Sequence, residues 1–96
     1  MSAYVIAEVE VTDAEAFEPY RLAVGATQEQ YGGTYLVRGG AVESLEGEVA
    51  GRIVVVRFED VDAAKRWYNS PEYQAIVGIR HAASKGRLTV VEGFAG

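Results

Sequence analysis

The chain has 96 residues, 49% apolar and 24% charged, with a formal net charge of −5 and no cysteine. This size and balance predict one compact, soluble domain over residues 1–96. The absent cysteines exclude disulfides, thiol catalysis and zinc–thiolate sites, and the acidic balance argues against nucleic acid, whose partners cluster Lys and Arg.

At this length only about 60–65% of the unfolded chain's surface is buried on folding, so a second copy would help the core. No apolar run approaches the ~20 residues of a membrane span. The start, Met1-Ser2-Ala3-Tyr4, shows no secretory pattern, and a cytoplasmic location is expected. The nine basic residues are scattered singly apart from Lys65-Arg66, a pair that reads as a solvated helix face.

Tyr4 to Val11 is rich in β-branched residues and predicts a strand. Thr12-Asp13-Ala14-Glu15 has the S/T-x-x-E form of a capping box and predicts a helix start. Phe17, Tyr20, Val24 and Tyr31 keep roughly helical spacing along a buried face. Pro19 inside that pattern predicts a kink or a restart near Glu18, and Gly32-Gly33 ends the helix. Thr34 to Arg38 is a second strand, Gly39-Gly40 a turn, Ala41 to Leu45 a short extension, and Glu46 to Gly51 a connection. Arg52 to Phe58 is the clearest strand, because Ile53-Val54-Val55-Val56 is an unbroken β-branched run.

Asp60-Val61-Asp62 opens a second helical region carried by Val61, Ala64, Trp67 and Tyr68. In Trp67-Tyr68-Asn69-Ser70-Pro71-Glu72-Tyr73 one helix stops and another starts at once. Ser70 is a good N-cap, Pro71 suits the first helical position, and proline pushes Ser70 away from helical geometry. Tyr73, Ile76, Val77, Arg80 and Ala83 carry the third helix, Lys85-Gly86 closes it, and Arg87 to Glu92 is the last strand.

The order βαββαβ is the ferredoxin-like arrangement, and right-handed crossovers place the helices on one face of a four-stranded sheet. Val5, Ala7, Val9, Val54, Val56 and Phe58 are expected to face the helices. The alternate set, Tyr4, Ile6, Ile53, Val55, Leu88 and Val90, is also apolar. An open face of that kind is rare on a monomer, so a two-fold homodimer packing sheet on sheet is expected.

The corner 67–73, with Tyr31-Gly32-Gly33, Leu36-Val37-Arg38-Gly39-Gly40, Glu46-Gly47 and Val90-Val91-Glu92-Gly93, resembles the DUF1330 family over nearly the whole chain. The resemblance implies a four-stranded antiparallel sheet in a dimeric α+β barrel. It marks Arg38, Gly39, Gly40, Glu46, Gly47, Trp67, Tyr68, Ser70, Tyr73, Arg80, Glu92 and Gly93 as family-like positions. Proteins of this fold include cofactor-independent monooxygenases, isomerases, haem-degrading enzymes and ligand-binding regulators, so fold constrains function little.

Six tyrosines in 96 residues admit two readings. They form an aromatic pocket anchored by Arg38 and Arg80, or a core rim whose hydroxyls are satisfied. On the first reading Arg38, Arg80, Tyr73, Tyr35, Trp67 and Asn69 bind a small molecule. Tyr68 or Tyr73 then polarises a carbonyl and His81, the only histidine, moves a proton. On the second, His81 is a surface or packing residue. With the first and third strands as parallel neighbours, Glu8 and Arg57 fall at the same ends and read as a register-fixing ion pair rather than a substrate cleft. No metal and no cofactor are expected, because one histidine without cysteine leaves no ligand set, and the glycine pairs lack phosphate-loop spacing. The function expected is a cofactor-independent enzyme acting on a small aromatic or carbonyl metabolite; the alternative is a non-catalytic ligand-binding or structural homodimer.

Overall fold

In a computed structural model, which describes residues 1–49 and 51–94, the chain folds as β1 (Ala3–Val11), α1 (Ala14–Gln30), β2 (Thr34–Arg38), β3 (Arg52–Phe58), α2 (Val61–Tyr68), α3 (Pro71–Ala83) and β4 (Ser84–Glu92). Ala50, within the expected 46–51 connection, and Ala95 and Gly96, at the end of the expected 1–96 domain, lie outside the described residues. The four strands form one antiparallel sheet in the order β2-β3-β1-β4. This is the ferredoxin-like α+β arrangement, with β2 and β4 as open edges.

Strand alternation divides the residues between two faces. Val5 pairs with Val56 and Val90, and Ala7 with Val54 and Leu88, so all of these lie on the helical side. Leu88 and Val90 therefore leave the open face to which the alternation assigned them. A one-residue slip in a period of two moves every side chain across the sheet. The open face instead carries Tyr4, Ile6, Ile53, Val55, Thr89 and Val91, with Val37 opposite Val55.

The same ladders correct the charged pair. β1 and β3 run antiparallel, which places Arg57 opposite Tyr4 and Glu8 opposite Ile53, toward opposite ends. Glu8 meets Arg87 of β4 instead, at 2.9 Å, and Arg57 Nε donates to Ser2 Oγ at 3.0 Å.

Each helix begins at a side-chain cap. Asp13 Oδ1 accepts from Ala16 N at 3.0 Å, so the cap is Asp13 rather than Thr12. Thr12 and Asp13 spend their own backbone N–H groups on the Ala83 carbonyl at the end of α3. Asp60 Oδ1 accepts from Ala63 N at 2.7 Å. α1 runs through Pro19 unbroken. The carbonyl that proline leaves without a partner belongs to Glu15, and both residues are exposed, so water satisfies it.

Two further expectations fail for local reasons. Ala41 to Leu45 forms no strand, because the β2–β3 ladder ends at Arg38 opposite Val54 and Gly39, at φ 68°, turns the chain away. Lys85-Gly86 does not close a helix; α3 stops at Ala83 and β4 starts with the next residue. Gly86 lies within β4 at φ 144°, where a Cβ would fall 1.8 Å from the Glu8 carbonyl oxygen.

The core lies between sheet and helices: Val5, Val9, Val56 and Phe58 from the sheet, Phe17 and Tyr20 from α1, and Trp67, Tyr73 and Val77 from α2 and α3. Trp67 stacks on Phe58 at 5.7 Å between ring centres and packs against Tyr73 at 4.2 Å. No helix of the described residues is long and apolar enough to cross a membrane.

Candidate functional site

The α2–α3 corner positions most of the expected site residues. Ser70 is buried, accepting from Tyr73 N at 3.1 Å while donating to the Trp67 carbonyl at 2.6 Å. One hydroxyl thus ends one helix and starts the next, as its spacing before Pro71 predicts. Asn69 is the C-cap of α2, with Nδ2 donating to the Lys65 carbonyl at 3.0 Å. It lines neither of the two cavities described below.

Between this corner and edge strand β4 lies a cavity of about 340 Å³. Trp67, Tyr68, Arg80 and His81 line one side, and Val5, Leu88 and Val90 the other. Its charged lining residues, Lys65, Arg80 and Arg87, are all basic. The arrangement favours an anion with an apolar body.

Arg80 dominates this cavity. The residue is 7% exposed, and its hydrogen-bond partners are both neutral-type groups: Nε donates to Tyr73 Oη at 3.3 Å and the NH2 nitrogen to His81 Nε2 at 3.2 Å. The ion pairs among the described residues join Arg21 to Glu18 and Arg87 to Glu8, so no described carboxylate is in ion-pair contact with Arg80. A buried cation without a counter-charge is costly, because desolvation is not repaid by Coulomb attraction. Because guanidinium only donates, His81 Nε2 is the acceptor and its ring proton sits on Nδ1.

Tyr73 is fully buried and does not reach this cavity. Its hydroxyl lies 3.0 Å from that of Tyr20 on α1. Burial above all, with the neighbouring Tyr73 hydroxyl, pushes the Tyr20 phenol well above the ordinary tyrosine range, so it keeps its proton. Trp67 Nε1 donates to Thr27 Oγ1 at 3.0 Å, and that hydroxyl donates to the Val24 carbonyl at 2.7 Å. The indole is therefore fixed, and Trp67 contributes to the lining of the cavity.

Arg38 and Tyr35 lie elsewhere. They line a second, smaller cavity of about 70 Å³ between α1 and the helical face of the sheet. The Arg38 guanidinium stacks 4.5 Å from the Tyr35 ring centre. Burial holds the Tyr35 phenol above its ordinary value, with the Arg38 charge working the other way. The expected site thus divides. Tyr68, Trp67, Arg80 and His81 come together; Arg38 and Tyr35 form a separate group; Tyr73 sits in the wall between them.

Sequence reasoning did not single out Tyr20 or Gln28 as site residues. Both are buried on α1. Tyr20 was visible as a core position, but nothing in its spacing distinguished a hydroxyl engaged across the core from one in solvent. Among the described residues no group of three or more His, Asp or Glu is placed to hold a metal ion.

These features define a ferredoxin-like α+β protein with an open apolar sheet face and a basic, aromatic-lined cavity. The chain belongs to the DUF1330 family, a domain of unknown function, whose model matches residues 2–94. Among solved structures it is similar to RPA0582, a protein of unknown function from Rhodopseudomonas palustris, at 20% identity and TM-score 0.79 over 99% of this chain and 84% of that one. It is also similar to SnoaB, a cofactor-independent oxygenase from Streptomyces nogalater, at 16% identity and TM-score 0.70 over 99% and 95% of the two chains. A third is a dimeric ferredoxin-like protein of unknown function from Jannaschia sp. CCS1, at 12% identity and TM-score 0.67 over 99% and 100%. At these identities the likeness is one of fold. No curated protein matches the sequence at a significant level.

Proposed function

We propose that the cavity between α2, α3 and β4 binds a small aromatic or carbonyl-bearing anion, and that the chain acts on it as a cofactor-independent enzyme of the oxygenase or isomerase type. The observation that carries this reading is Arg80, a buried guanidinium facing a cavity with no carboxylate beside it. A bound carboxylate or enolate supplies the missing counter-charge by a charge-assisted hydrogen bond. The apolar wall of Val5, Leu88 and Val90 takes the body of the molecule.

Both reaction types begin with removal of a proton next to a carbonyl or from a phenol. When the ligand takes the Arg80 donor, His81 Nε2 is released to accept that proton. The Arg80 guanidinium and the Tyr68 hydroxyl then stabilise the oxyanion that forms. The similarity in fold to a cofactor-independent oxygenase is compatible with this step and does not by itself assign it.

A binding role without turnover has one observation in its favour. No described residue bonds His81 Nδ1, so the ring lacks the orienting partner that fixes a general base in many enzymes. We further propose that the chain, acting as a single DUF1330 unit in the cytoplasm, works as a homodimer through the open sheet face. The row Tyr4, Ile6, Val55 and Ile53 supports this, as does the dimeric state of the similar Jannaschia protein.

Native mass spectrometry of the purified protein tests the reading. A dimer carrying a small acidic molecule supports both parts, and fragmentation identifies the ligand class. A bare monomer that takes up no aromatic carboxylate at high concentration contradicts both.

A further inference from the structure

The second cavity, between α1 and the sheet, carries hydrogen-bonding capacity that the protein does not use. Gln28 lines it, is 5% exposed, and its Oε1 has no donor among the described residues. Leaving a buried acceptor unpaired is costly, and such groups in folded proteins call for a partner. Tyr20 also lines this cavity. Arg80 can only donate, so the Tyr73 oxygen accepts from it. Tyr73 is fully buried, and the partner left for its own proton is the Tyr20 oxygen, 3.0 Å away. The Tyr20 proton is then surplus, on a residue that lines the cavity. Arg38 and Arg52 also contribute to the lining, and neither belongs to an ion pair among the described residues.

The cavity is therefore lined by a buried amide whose oxygen is unpaired, a buried phenol and two guanidinium groups, between walls that include Val24, Val54 and Leu88. Its volume of about 70 Å³ suits a molecule of roughly five or six non-hydrogen atoms, at ~10–15 Å³ of such volume per water-sized group. We infer that this cavity is a second ligand site, distinct from the one at Arg80, and that it takes a short hydroxycarboxylate. The hydroxyl meets Gln28, and because a hydroxyl both donates and accepts it satisfies either end of the amide. The carboxylate accepts from Tyr20 and from Arg38 or Arg52 at the rim, and a methyl or methylene group lies against the valines.

L-lactate is the probe, and propionate, which lacks only the hydroxyl, is the control. Titrated into the full chain and followed by backbone and methyl NMR, lactate should give saturable shifts at Val24, Tyr35 and Val54, in the millimolar range or tighter. Propionate should bind about tenfold more weakly, the cost of an unmet buried acceptor expressed as affinity. Gln28→Leu should erase that preference while leaving propionate affinity unchanged. Lactate and propionate binding equally would overturn the role of Gln28 without needing any variant to fold. Absence of saturable shifts at Val24, Tyr35 and Val54 would overturn the site. Shifts confined to Trp67, Tyr68 and Val90 would also overturn it, because they put the anion at Arg80, and they would leave the first site standing.

Discussion

The Tyr20 and Tyr73 hydroxyls, 53 positions apart in sequence, meet 3.0 Å apart in the core and join α1 to α3. Arg80 Nε donates into the pair, so a line of hydrogen bonds runs from the α1 cavity to the guanidinium of the larger one. Replacing Tyr20 with Phe should remove the link while keeping the ring that packs on Phe17 at 5.2 Å. The expected cost is about 1–2 kcal/mol, since it strands a fully buried Tyr73 hydroxyl proton. Thermal unfolding should show a fall of about 4–8 °C for each kcal/mol lost in a domain of this size. An unchanged melting temperature would mean that the two hydroxyls are not coupled.

Arg80→Met keeps the length and apolar stem of the side chain but removes the charge. If the guanidinium is present for a ligand, stability should hold or rise, because relieving an unpaired buried cation offsets the lost bond to Tyr73. Ligand binding should fall sharply. Urea unfolding of ligand-free protein checks the first part; a loss of more than about 2 kcal/mol would make Arg80 a structural residue.

Ser70→Ala should be among the more damaging small changes in the chain. Its buried hydroxyl caps α3 through Tyr73 N and holds the last turn of α2 through the Trp67 carbonyl. Loss of an N-cap typically costs ~1 kcal/mol, and the second stranded group adds to it, for roughly 2 kcal/mol in total. Denaturant titration with an unchanged slope would show that stability alone has changed.

Tyr31 Oη donates to Glu72 Oε1 at 2.7 Å, tying the end of α1 to the start of α3. That bond, foremost, holds the Glu72 carboxyl below its ordinary value and the Tyr31 phenol above its own. A depressed carboxyl stabilises the fold above its unfolded pKa, and the gain is lost as pH falls through the folded value. A raised phenol stabilises below its unfolded pKa and loses that gain as pH rises through the folded value. The stability difference between wild type and Tyr31→Phe should therefore be a plateau at neutral pH that narrows on the acid side and again on the strongly alkaline side. A difference that does not vary with pH would show that the bond carries no linkage.

Much of this was legible in the sequence. The β-branched run of β3 and the Ser70-Pro71 break gave their elements, because the physics there is local: side-chain stiffness at χ1, a cap, a missing N–H. The sequence also grouped Trp67, Tyr68, Arg80 and His81 in one expected site, but together with Arg38, Tyr35, Tyr73 and Asn69, which do not line the cavity those four share. What the sequence did not carry is set by long-range pairing. The faces of Leu88 and Val90 depend on register against β1, and Arg38 departs from Arg80 because β2 is the far edge of the sheet. Glu8 finds Arg87 only when β4 lies beside β1. Gln28 carries no signal in the sequence, because its burial depends on how α1 seats on the sheet.

Trp67 is the only tryptophan and lines the larger cavity, so its fluorescence reports directly on the claim that Arg80 anchors a small anion there. The decisive measurement is a titration of benzoate against benzyl alcohol, in wild type and in Arg80→Met. A saturable change in Trp67 emission with benzoate, at least about tenfold weaker with the alcohol and in the variant, is the predicted result. Equal affinity for the charged and uncharged probes, or a benzoate response that survives Arg80→Met unchanged, would contradict it.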